Sequence, residues 1–164
     1  MRGRLSFDWV TLRQPLVLAA IGLLVLALLL RLQHHRHSGV VADPVRTPGV
    51  LNPDVAQANI GETICKHGWT RTVRPSVEYT NALKRKQMPA YREHGSSSGY
   101  QEDHLISLEL GGNPTDPRNL WPEPYPRAAE VDQIENELNA QVCAGSLALA
   151  DAQQREADLK HNQG

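Results

Sequence analysis

The chain is poor in the residues that fill a large core or hold a structural zinc. One phenylalanine and three tryptophans serve 164 residues, so large aromatic area is scarce and the folded part is small. Its two cysteines, Cys65 and Cys143, include no CxxC pair, which removes the usual start of a zinc ribbon or finger. No internal repeat is visible, which removes the repeat architectures. The net charge is -1, so no bulk excess of one sign argues for a polyanion or a membrane surface as partner.

The charge that is present is unevenly spread. From Lys66 to Arg92 seven bases face a single acid, Glu78, for +6; from Tyr100 to Gly164 twelve acids face four bases, for -8. That asymmetry predicts an anion-binding face beside an acidic face suited to a metal or a solvated helix.

The one long hydrophobic run is Pro15 to Leu30, uncharged and preceded by Arg2, Arg4 and Arg13. A bilayer-spanning helix needs about 20 apolar residues, so this run is short unless Trp9, Val10 and Leu12 extend it. The flank "RLQHHRHSG" has no small-x-small cleavage pattern beside the run, so an uncleaved signal anchor is the reading preferred over a cleaved signal peptide. With the N-terminus inside, the domain that follows stands outside the cytoplasm, periplasmic or extracellular; cleavage would make it secreted. In that oxidising setting Cys65 and Cys143 read as a disulfide, whereas a cytoplasmic domain would carry two buried thiols.

The organisation expected is a basic flank (1–14), a membrane or signal-anchor segment (15–30), a Pro-, Gly- and His-rich linker (31–52) and a domain (53–160). His34, His35 and His37 in the linker offer a loose metal site, or simply a polar flank. Within the domain, Asp54 suits the cap of a short helix, Thr70–Val73 a strand, and the segment from near Thr80 a helix ended by Pro89. On that helix Ala82, Leu83 and Met88 fall on one side and Lys84, Arg85 and Lys86 on the other. The segment "QEDHLISLEL" alternates as a strand, with Leu105, Ser107 and Glu109 on one face and His104, Ile106 and Leu108 on the other. "GGNPTDPR" must turn, "NLWP" starts a second strand, and Val131, Ile134, Leu138 and Val142 mark an amphipathic helix stopped near Gly145. A last helix starts at Ser146 as its cap, and the tail "KHNQG" is expected to fray.

Chemistry concentrates between Tyr100 and Tyr125. An Asp-His pair at a strand end joins a hard oxygen ligand for a divalent cation to a base that works near neutral pH, the pairing that metal-assisted phosphodiester hydrolysis requires. Asn119 carries both donor and acceptor groups and can bridge the loop that holds His104. Each residue also has an ordinary reading: a surface ion pair for Asp103 and His104, a turn residue for Asn119, a solvated face for Lys84–Lys86.

"DHLISLELGG" followed by "TDPRNLWP" resembles the core of the His-Asn-His (HNH) endonucleases and their ββα-metal motif. The resemblance implies a small α+β fold with flanking helices. It implies Asp103 as metal ligand, His104 as general base and Asn119 as the residue that ties the loop and orients the base. Gly111 and Gly112 match the turn, and Leu120 the apolar residue after the Asn. The family's third ligand, a His or Asn on the following helix, has no His counterpart here, since none occurs between His104 and His161. Glu130, Asp132 and Asn136 are the substitutes, and Asp132 is the choice because it lies early on the helix and off the apolar face.

The function expected is hydrolysis of phosphodiester bonds in DNA, or in RNA with the same linkage, using Mg²⁺ first and Mn²⁺ or another divalent ion second. Lys84, Arg85, Lys86, Arg71 and Arg74 are the expected backbone-phosphate contacts. The competing reading is a non-catalytic, disulfide-stapled envelope domain that binds a partner or polyanion on an HNH-like scaffold. Function carried by the His34–His37 cluster stands third.

Overall fold

The computed structural model describes residues 40–163, and Gly22 alone before them. The expected span over 15–30, Gly22 apart, and His34, His35 and His37 lie outside the described residues. Among the described residues no helix is long and apolar enough to cross a membrane. The compact unit already includes Val40, about a dozen residues before the expected end of the linker. Residues 40–52 are instead a strap fixed by backbone bonds: Ala42 to Lys160 (3.0 Å), Gly49 to Arg118 (3.1 Å) and Asn52 to Gly111 (2.8 Å). Ala42 and Thr47, on either side of an exposed turn at 44–46, are almost wholly buried and fix the strap to the domain.

The fold is a small α+β arrangement: helix α1 (Trp69–Val73), helix α2 (Val77–Gln87), strand β1 (Tyr100–His104), strand β2 (Leu120–Pro124), helix α3 (Arg127–Cys143) and helix α4 (Leu149–Asn162). The strands pair antiparallel with Asp103 opposite Trp121 and His104 opposite Leu120. The order strand, loop, strand, helix is the one expected.

Four local expectations are corrected. Thr70–Val73 is helical rather than a strand. Gly68, at φ 80°, turns the chain into that helix, and Arg74, extended before Pro75, ends it. Helix α2 begins at Val77, three residues earlier than Thr80, because the Ser76 hydroxyl accepts from Tyr79 N (3.2 Å). Near Asp54 the short helix is one 3₁₀ turn at Gln57–Asn59 whose cap position is Ala56. Ser146 does not cap α4: its hydroxyl donates to Gln141 O (3.0 Å), and the first amide, Leu149 N, is satisfied by the Gln57 side chain (2.7 Å).

Strand β1 also stops at His104 instead of running to Leu110. Ile106 cannot continue a ladder, because both its N–H and its carbonyl are bonded by the Asn119 side chain. The chain then closes a 3₁₀ turn at Leu108–Leu110 and reaches the glycine pair. Gly111 adopts φ 77°, and a Cβ there would meet Val55 at 2.6 Å; at Gly112 it would stand 1.7 Å from Ile106 O. Only glycine fits so close to a backbone carbonyl.

Two apolar clusters hold these pieces. Ile64, Ile106, Leu110, Leu138, Val142, Leu149 and Ala152 join the turn to α3 and α4, while Ala42 of the strap packs with Leu105, Trp121 and Tyr91. The Cys65–Cys143 disulfide is formed, across a sequence separation of 78 residues, and staples the N-terminal part of the domain to the end of α3.

Candidate metal centre

Asp103 and His104 end β1 and both line a cleft of about 450 Å³ together with Arg74, Thr80, Glu102, Glu109, Asp132, Glu135 and Asn136. His104 is 6 % exposed. Its Nε2 lies 3.1 Å from the Pro114 carbonyl, and a carbonyl only accepts, so Nε2 carries the hydrogen and Nδ1 is left as the basic nitrogen. Burial holds the imidazole pKa below its ordinary value, against the opposing pull of Asp103, so the ring is neutral at pH 7.

Asn119 is completely buried and ties the loop as expected. It accepts from Ile106 N (3.0 Å) and donates to Ile106 O (3.0 Å) and Asn113 O (2.9 Å), while its own carbonyl accepts from Leu105 N (2.8 Å). The loop from Asn113 to Pro117 is further held by α2, through Tyr79 Oη on Thr115 O and Gln87 Nε2 on Pro117 O (3.0 Å). The acceptor that orients His104 is thus fixed from both sides.

On α3, Asp132 and Glu135 are three residues apart and share one helix face. One carboxylate oxygen from each, with one from Asp103, lie within 4.8 Å of one another. An all-oxygen donor set of this kind fits Mg²⁺, Mn²⁺ or Ca²⁺ rather than a thiophilic metal. The electrostatics agree. Burial, with Asp103 adding repulsion, raises Asp132; burial also pushes Glu135 well above the usual carboxylate range, although Lys160 opposes it. Carboxyls that resist ionising together are stabilised when a divalent ion replaces their protons.

Glu135 is not among the residues the sequence singles out, and neither are Lys160, Glu156 and Glu102. Lys160 is fully buried and places its ammonium 2.7 Å from Asp103 Oδ2, 2.6 Å from Glu135 Oε1 and 3.2 Å from Glu156 Oε1. The expected frayed tail is therefore the last turn of α4, with His161 Nε2 bonded to Thr47 O (2.9 Å). Burial works to raise Asp103, but the Lys160 ammonium overrides it and the net shift is downward. Glu156 receives Ser107 N at 2.9 and 3.0 Å. Glu123 is buried, has no partner of good hydrogen-bond geometry, and is pushed up to about 9 by burial and by the nearby Asp103. Glu102, on the same strand face as His104, is 9 % exposed with both oxygens unpartnered. Burial pushes it up to about 8, in spite of Lys84 nearby.

The basic residues separate. Arg71, Arg74, Arg85 and Lys86 are exposed, and Arg74 borders the cleft. Lys84 does not present its charge to solvent: it is 9 % exposed and donates to Tyr100 O (2.8 Å). It braces β1 from α2, which corrects its place among the phosphate contacts.

No family model, no curated protein and no solved structure matches the chain.

Proposed function

We propose that the domain is a metal-dependent phosphodiesterase of the HNH type, acting on DNA or on RNA through their shared linkage. The observation that carries this reading is the cleft itself. A buried, neutral histidine, with Nε2 fixed on a carbonyl, borders the same 450 Å³ space as three converging carboxylates. Asp103, Asp132 and Glu135 would hold the divalent ion, which supplies Lewis-acid stabilisation of charge on the phosphoryl and leaving oxygens.

The chain's own residues do the rest. His104 Nδ1 accepts the proton of the attacking water, and Pro114 O stabilises the imidazolium that results by keeping its bond from Nε2. Asn119 holds the geometry of that exchange by locking Ile106 to Asn113. Arg74, at the cleft margin, neutralises phosphate charge beside the acids, and Arg71, Arg85 and Lys86 add contacts to the backbone that weaken with salt. Nothing in this set reads base identity, so cleavage is expected to be indifferent to sequence.

The segment at 15–30 is proposed to anchor the domain to a membrane with the C-terminal part outside the cytoplasm, a setting that a disulfide suits. One observation favours the non-catalytic alternative: Lys160 already pairs with Asp103 and Glu135, as a purely structural ion cluster would. Nicking of supercoiled plasmid separates the two. Cleavage with Mg²⁺ or Mn²⁺ that EDTA abolishes supports the enzyme; salt-sensitive DNA binding without cleavage under any divalent ion supports the scaffold.

A further inference from the structure

We infer that Lys160 is an internal counter-cation that sets how tightly the centre binds its divalent ion, an inference that rests on the metal reading above. An ammonium has three donors. Here Asp103 Oδ2, Glu135 Oε1 and His104 O take all three, with Glu156 as an additional ion pair at 3.2 Å. Lys160 therefore has no donor left for a substrate phosphate. It holds the end of β1 and the metal face of α3 in register from the last turn of α4.

Two consequences follow. Without a divalent ion the ammonium bonds Asp103 and Glu135 at the same time and holds the two side chains together, so the site stands preformed. With the ion present, the same ammonium takes one oxygen from each of two ligands and adds a positive charge a few ångströms away. In a partly buried site that repulsion weakens binding by about tenfold or more. A lysine that was only a strut would act in the opposite sense, because losing it would splay the carboxylates and lower the affinity.

The test is Lys160→Met in the full chain, oxidised and in mild detergent, with Mn²⁺ affinity measured by calorimetry and thermal unfolding followed in EDTA and in MnCl₂. The expected result is a lower Tm in EDTA, a Kd for Mn²⁺ at least about tenfold smaller than wild type, and a larger thermal stabilisation by Mn²⁺. Lys160→Arg, which keeps the charge, should not gain affinity. If wild type binds Mn²⁺ and Lys160→Met binds equally or more weakly, the counter-cation role is overturned and the metal reading survives. If neither binds, both fall. Should Lys160→Met not fold in EDTA, the double variant Glu156→Gln with Lys160→Met removes the i,i+4 pair together and carries the same expectation.

Discussion

Glu102→Gln should stabilise the domain at high pH and leave it nearly unchanged at low pH. The Glu102 carboxyl is 9 % exposed, lacks hydrogen-bond partners and has a folded-state pKa near 8, against about 4.3 in an unfolded chain. A raised pKa means the native state keeps a proton that the unfolded chain has released. The stability linked to Glu102 is thus fully present below about pH 4.3 and lost as pH rises towards 8. Each unit is worth about 1.4 kcal/mol, so the ceiling on the loss by pH 8 is about 5 kcal/mol. Solvent penetration and relaxation reduce that to roughly 2–3 kcal/mol. Gln resembles the protonated acid but cannot ionise. Urea unfolding in EDTA, at pH 5 and at pH 8, should give the variant little advantage at the first and roughly 2–3 kcal/mol at the second. A difference that stays constant between the two would refute the claim that Glu102 is buried as the neutral acid.

Asn119→Ala removes two buried hydrogen bonds and one part-buried one, leaving Ile106 N, Ile106 O and Asn113 O without their partner; at roughly 1–3 kcal/mol per orphaned group, equilibrium denaturation should show a loss of about 3–5 kcal/mol. Gly112→Ala drives a methyl to within 1.7 Å of Ile106 O and should yield no folded protein by circular dichroism, whereas Gly99→Ala, with nothing within 4 Å, should fold normally. Reducing Cys65–Cys143 opens a loop of about 78 residues and should cost about 4–5 kcal/mol on the chain-entropy model, read as a Tm drop in dithiothreitol.

How legible the domain was depends on how local each signal is. The order strand, loop, strand, helix and the helix from Arg127 to Cys143 are written in turn residues and a 3.6-residue period, both short-range. Asn119 was readable because its partners, Ile106 and Asn113, lie within 13 residues of chain. The errors came where a tertiary partner replaced a local one. Ile106 left the strand pattern because a side chain took its backbone bonds, and Leu149 was capped by Gln57, 92 residues away. Lys160 was missed for the same reason: it meets Asp103 across 57 positions. A trace of it was present, since Leu149, Ala152, Glu156 and Lys160 all lie on the buried face of α4, where an i,i+4 Glu-Lys pair is out of place unless it meets other charges. Asp132 is chosen by its position on α3; Glu135, one turn further on, is not among the substitutes considered, although the same helical spacing places it beside Asp132.

The central claim is that His104 is the base of a hydrolytic centre. Its most direct test is the initial rate of plasmid nicking in Mg²⁺ by wild type and His104→Ala, with both preparations matched for folded fraction. General-base catalysis predicts a fall of about 10²- to 10⁴-fold with the affinity for the metal largely kept. Equal rates, or a wild type that cleaves nothing while binding Mg²⁺, would contradict it.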